Sequence, residues 1–171
     1  IAGNEVSGNG GNGLWVENRA SNGASIAQIF SVLAFNNVGN NSGDGIRVEN
    51  VASGAGSHVS QTVIVAGNTA IGNGDNGIAV VNFASSGGTI QQTALVGAVD
   101  NYGTTFGNVA TGNAYDGIVA INRASGSGAS IGNVTISVPD STETVAAEPS
   151  TNSLLTPCTT VLASAAPSST Y

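Results

Sequence analysis

A long internal repeat constrains this chain more than any other feature. Gly3 to Asn18 aligns without gaps on Gly67 to Asn82, GNTAIGNGDNGIAVVN, and again on Gly107 to Asn122, GNVATGNAYDGIVAIN. A fourth copy ends in Gly45-Ile46-Arg47-Val48-Glu49-Asn50. Every copy continues Asn-x-Ala-Ser: Asn18 to Ser21, Asn50 to Ser53, Asn82 to Ser85 and Asn122 to Ser125. These motifs follow one another at 32, 32 and 40 residues, and a second column, Asn4, Asn36, Asn68 and Asn108, keeps the same intervals. Two columns in one phase mean a single supersecondary unit repeated along the chain. The longer third interval comes from eight or nine extra residues between Val96 and Phe106.

Inside a unit the period is two. Ile46 and Val48 point one way, Arg47 and Glu49 the other. Short alternating segments between Gly, Asn and Ser turns read as strands, and no sustained 3.6 period interrupts residues 1–138. A unit this small cannot bury its own apolar side, so successive units must stack and share one core. The expected fold is all-β: a single-stranded, right-handed parallel β-helix (solenoid) of about four coils over residues 1–138. An extended Ser/Thr/Ala/Pro-rich tail follows over 139–171.

The pattern Gly-Asn-x-x-x-Gly-Asn-x-x-Asp-Gly-Ile-x-x-x-Asn at Gly107 to Asn122 resembles the parallel β-helix repeat of the pectate-lyase-like superfamily. The resemblance spans residues 1–138 and implies the fold. That architecture carries lyases, hydrolases, phage tailspikes and adhesins, so the resemblance implies no single activity.

Stacked asparagines at turns satisfy backbone that has no strand neighbour. Two such structural ladders are expected, one of Asn4, Asn36, Asn68 and Asn108, the other of Asn18, Asn50, Asn82 and Asn122. Gln28, Gln61, Gln92 and Asn133 suggest another at the start of the following strand. Gly13, Gly45, Gly77 and Gly117 are expected at a positive φ or in a crowded corner. The residues before them, Asn12, Asp44, Asn76 and Asp116, include only two carboxylates and no calcium-solenoid nonapeptide, so neither a metal nor a cofactor is expected.

Two outward columns, Trp15-Arg47-Ala79-Val119 and Glu17-Glu49-Val81-Ile121, change from polar to apolar along the stack. An apolar patch of Val81, Val119 and Ile121 needs a cover. The tail, through Leu154 and Leu155 among others, is the expected cover on its own solenoid or on a neighbour.

The chain has no Lys, three Arg, 8% charged residues and a net charge of -7. Such a surface cannot neutralise a row of phosphates or hold an anionic bilayer, so nucleic acid is not an expected partner. No apolar run reaches the ~18 residues of a membrane span. Cys158 is the single cysteine and His58 the single histidine. No nucleophile-base set or general acid–base pair can be assembled, so no enzyme is expected.

Ile1-Ala2-Gly3-Asn4 matches Val65-Ala66-Gly67-Asn68, and the run from Ile131 reaches the same phase at Val138. A whole number of coils leads to the main expectation, an extracellular or cell-surface filament subunit that stacks on itself head to tail. Each subunit would add roughly 19 Å, four strand spacings. The rival is a polysaccharide-binding module using Asp100, Asn101 and Tyr102 of the inserted segment with Tyr115 and Asp116. An ice-binding face would need a regular threonine column, and the repeat phase shows none.

Overall fold

In the computed structural model, which describes residues 1–99, 105–139, 145–148 and 159–164, each coil lays down three strands. Coil one comprises β1 (Glu5–Ser7), β2 (Leu14–Ser21) and β3 (Ser25–Ala34). Coil two comprises β4 (Asn37–Gly39), β5 (Ile46–Ser53) and β6 (His58–Ala66), and coil three β7 (Thr69–Ile71), β8 (Ile78–Ser85) and β9 (Thr89–Val96). An antiparallel pair, β10 (Ala98–Val99) and β11 (Thr105–Phe106), then interrupts the path. Coil four comprises β12 (Val109–Thr111), β13 (Ile118–Ser125) and β14 (Ser130–Pro139), and two tail strands follow, β15 (Val145–Glu148) and β16 (Thr159–Ser164).

The strands form three parallel sheets. A short sheet runs β1-β4-β7-β12; two long ones run β2-β5-β8-β13-β15 and β3-β6-β9-β14-β16. The second is called the Asn sheet and the third the Gln sheet, after their buried amides. This is a parallel β-helix, whose crossovers need no helix because each coil turns a corner through a few Gly, Asn or Ser residues.

Register in the Asn sheet is unbroken: Asn18, Asn50, Asn82 and Asn122 lie opposite one another, as do Leu14, Ile46, Ile78 and Ile118. Period-two alternation sends Ile46, Val48, Asn50 and Ala52 inward, and all four are buried. The Asn-x-Ala-Ser asparagines therefore stand mid-strand inside the core rather than at turns. Their Asn and Ser neighbours suggest a turn, but the alternation of the whole strand prevails.

The Gln sheet is less regular. The register of β3 on β6 shifts between Gln28 and Ser31, and that of β14 on β9 between Ile131 and Val134. Val134, not Asn133, thus stands opposite Gln92, and Asn133 falls in the irregularity.

Crowding, not a positive φ, explains the Gly column before Leu14, Ile46 and Ile78. A Cβ on Gly45 would meet Asn73 Nδ2 and the Gly77 carbonyl oxygen, each at 2.7 Å. Gly67 combines a φ of +64° with the Phe35 ring 2.7 Å from any Cβ. That ring meets Phe106 edge-on at a centroid distance of 5.5 Å, which ties coil one to the inserted pair.

The tail strands extend the stack. β15 pairs with β13 from Ile118↔Val145, and β16 with β14 from Val134↔Thr159. Among the described residues the short sheet ends at β12, one layer earlier. On the outer face of the Asn sheet, Ala79, Val81 and Val119 are buried and form a second apolar cluster with Phe83 and Ile121. Leu154 and Leu155 lie outside the described residues.

Asn50→Ala strips partners from Asn18, Gln61 and Asn82 in the core, and is expected to cost about 3 kcal/mol. The thermal midpoint should fall by roughly 6–12 °C. Gly45→Ala should cost about 1–3 kcal/mol through overpacking, whereas Gly10→Ala, with nothing within 4 Å, should be close to neutral. Equal melting of the two glycine variants would refute the crowding argument.

Candidate functional site

The polar interior is a set of carboxamide ladders with a direction. Asn36 Oδ1 accepts from both the backbone N–H (3.1 Å) and Nδ2 (2.9 Å) of Asn4. Asn68 Oδ1 takes the same two bonds from Asn36, and Asn108 Oδ1 from Asn68. A ladder that the sequence reading missed repeats this geometry: Asn9 to Asn41, Asn41 to Asn73 and Asn73 to Asn113. Its signal was present, since these asparagines keep the intervals 32, 32 and 40.

In the core, Asn18, Asn50 and Asn82 each donate through Nδ2 to the next asparagine at 2.8–2.9 Å. The same Nδ2 atoms also donate to Gln28, Gln61 and Gln92 of their own coils at 2.9–3.1 Å. The glutamines run the opposite way: Gln92 Nε2 donates to Gln61 Oε1 and Gln61 Nε2 to Gln28 Oε1, both at 2.6 Å. At the first-coil end, Oδ1 of Asn4, Asn9 and Asn18 accepts no hydrogen bond from a described residue.

The corner column Asn12-Asp44-Asn76-Asp116 is bonded coil to coil as well. Asp44 N donates to Asn12 Oδ1, Asn76 N and Nδ2 donate to Asp44 Oδ1, and Asp116 N donates to Asn76 Oδ1. Asp44 Oδ2 accepts from Arg47 Nη1 and Glu49 Oε2 from Arg47 Nε, each at 2.8 Å. Asp44 and Glu49 are buried, so one guanidinium serves two carboxylates. Burial would lower the Arg47 pKa, but the hydrogen bonds to Glu49 and Asp44 outweigh it and hold it above the ordinary value.

The remaining polar groups are dispersed. Arg19 pairs with Glu17 on the exposed part of coil one. Arg19 and Arg123 stand in one strand column of the Asn sheet, three layers apart. His58 Nδ1 lies 2.8 Å from Thr89 Oγ1. No three His, Cys, Asp or Glu side chains gather as a metal set among the described residues. Tyr115 is 73% exposed and sits with Asp116 after β12, whereas the inserted pair precedes β12. Asp100, Asn101 and Tyr102 lie outside the described residues.

The outer face of the Gln sheet carries a shallow depression of about 220 Å³ lined by Ser60, Gln61, Thr62, Gln91, Gln92 and Thr93. Register also builds a threonine column the repeat phase did not show: Thr62, Thr93, Thr135 and Thr160 stand opposite one another. The depression and the flanking irregularities make this face uneven, unlike the flat hydroxyl array an ice surface needs.

Replacing Arg47 tests the two-carboxylate network. Arg47→Met leaves Asp44 and Glu49 without a counter-charge and is expected to cost about 2–3 kcal/mol, less than a fully buried pair because Arg47 is partly exposed. Arg47→Lys should restore only part, since an ammonium lacks the planar fork. A folded pKa above the ordinary value makes the Arg47 contribution fully present below that value and lost only as pH rises through the folded one. The difference in urea midpoint between wild type and Arg47→Met should therefore be constant from neutral pH to pH 10. A difference that shrank across that window would contradict the assignment.

No protein-family model, curated protein or solved structure matches this chain.

Proposed function

We propose that the protein is a structural subunit of an extracellular or cell-surface fibre, self-assembling by head-to-tail stacking of β-helix coils and carrying no catalytic site. The observation that carries this reading is the direction of the ladders. In both Asn ladders that flank the short sheet, the N–H and Nδ2 groups of one coil meet the Oδ1 of the next, three times in each. One end face of any coil therefore offers acceptors and the other donors. Two copies fit in one orientation only, the heterologous arrangement that generates open filaments. Face-to-face dimers would oppose acceptor to acceptor through one end, or donor to donor through the other.

Among the described residues β1, β2 and β3 each pair with a strand on one side only, and a parallel edge of that kind templates further pairing, which supports the same reading. So does the charge-poor surface, which opposes few like charges when copies meet. The absence of catalysis is supported by how these ionisable groups are engaged: Asp44 and Glu49 share Arg47, and Arg19 pairs with Glu17. On the repeat Gly107 to Asn122, we further assign kinship with the pectate-lyase-like β-helices, whose architecture also serves fibres and adhesins.

Electron microscopy of the purified chain at micromolar concentration tests the proposal. Long thin fibres are expected, with an axial repeat of about 19–24 Å for four to five layers at the ordinary strand spacing. Monodisperse single particles would overturn it.

A further inference from the structure

The outer face of the Gln sheet carries a site that the fibre reading does not use. From His58↔Thr89 to Val65↔Val96, β6 and β9 run in unbroken register. The strands on either side each lose register at the same level of the sheet: β3 just after Gln28, which stands opposite Gln61, and β14 just before Val134, which stands opposite Gln92. Such irregularities bend a strand and re-aim its side chains, and they are common beside binding sites. The depression of about 220 Å³ lies on the pair of strands between them. We propose that it is a binding site for one sugar ring of a neutral polysaccharide.

The lining fits that chemistry. Ser60, Thr62 and Thr93 bring hydroxyls that both donate and accept, and Gln91 brings a carboxamide with both capacities. A polyhydroxylated ring, whose every hydroxyl also donates and accepts, matches such a wall. No lining residue is charged, so the site gives no preference to a phosphate, a uronic acid or a cation. Gln91 and Thr93 are exposed, which leaves the wall open to a ligand from solvent.

The site is also held rigidly. Beneath it, Gln61 and Gln92 are buried and bonded to each other at 2.6 Å. Threonine is restricted at χ1, and groups on strands are placed more accurately than groups on loops. Little ordering entropy then opposes binding. Thr62 and Thr93 stand opposite each other, about 4.8 Å apart along the axis. A linear chain lying along the stack would meet both hydroxyls. The site stands on one subunit and is independent of filament formation.

Cellohexaose and mannohexaose serve as neutral probes and hexagalacturonic acid as the acidic one, followed by amide chemical shifts and calorimetry on the intact chain. At least one neutral probe is expected to shift the amides of Ser60 to Thr62 and Gln91 to Thr93. Binding should weaken about tenfold in the double variant Gln91→Ala/Thr93→Val, as loss of one or two hydrogen bonds requires. The thermal midpoint of that variant should be unchanged, because both side chains are exposed. Failure of both neutral probes at millimolar concentration would overturn the proposal. So would neutral binding that persists in the double variant, or acidic binding as tight as neutral.

Discussion

A carboxamide inside a protein must find both donors and acceptors, and here each finds them one coil away. Asn50 is fully buried, accepts from Asn18 below, and donates to Asn82 above and Gln61 across the core. Slipping one coil by a single residue would set Val or Glu against these groups and leave several buried polar atoms unpaired, at about 1–3 kcal/mol each. Apolar columns alone would tolerate such a slip better, because Ile, Val and Ala differ only in volume. The ladders therefore fix register, and register fixes everything placed on the outside.

Within the core the amide rows run in two directions. Core asparagines donate toward coil four, whereas the glutamines facing them donate toward coil one, so the two rows of amide dipoles oppose each other. Hydrogen-bonded chains strengthen one another in a low dielectric. The corner column shows what happens when an amide is replaced by an acid. Asp44 is buried and has Arg47 three residues on, whereas the half-buried Asp116 has Val119 at that place. Burial and counter-charge go together, as the cost of an unpaired buried carboxylate requires.

How much of this was legible depended on whether a column kept one phase. The Asn4 and Asn18 columns keep the intervals 32, 32 and 40, and the structure bonds each of them rung by rung. The coil number and the place of the insertion follow from the same phase. The Gln sheet lost that signal. Its turns differ in length and two of its strands break register, so the threonine column appears in the sequence at intervals of 31, 42 and 25. Counting along the sequence puts Asn133 opposite Gln92, yet the irregularity in β14 gives that place to Val134. The core position of Asn18 was hidden for another reason: local Asn and Ser chemistry looks like a turn until alternation along the strand is counted.

The inserted pair shows where such a fold can change. It adds residues between β9 and β12, yet the Asn68 to Asn108 rung beyond it is 3.0 Å long, against 2.9 Å for the Asn36 to Asn68 rung before it. A corner absorbs the extra chain because nothing in the next coil requires that path, whereas every inward position must match the layers on both sides. Outward positions carry no such demand, and Trp15, Arg47, Ala79 and Val119 succeed one another in a single column. Recognition must therefore be written on the outer faces and corners, where one coil can differ from the next. The uneven Gln-sheet face has that freedom, and its two register breaks are departures that the interior ladders still accommodate.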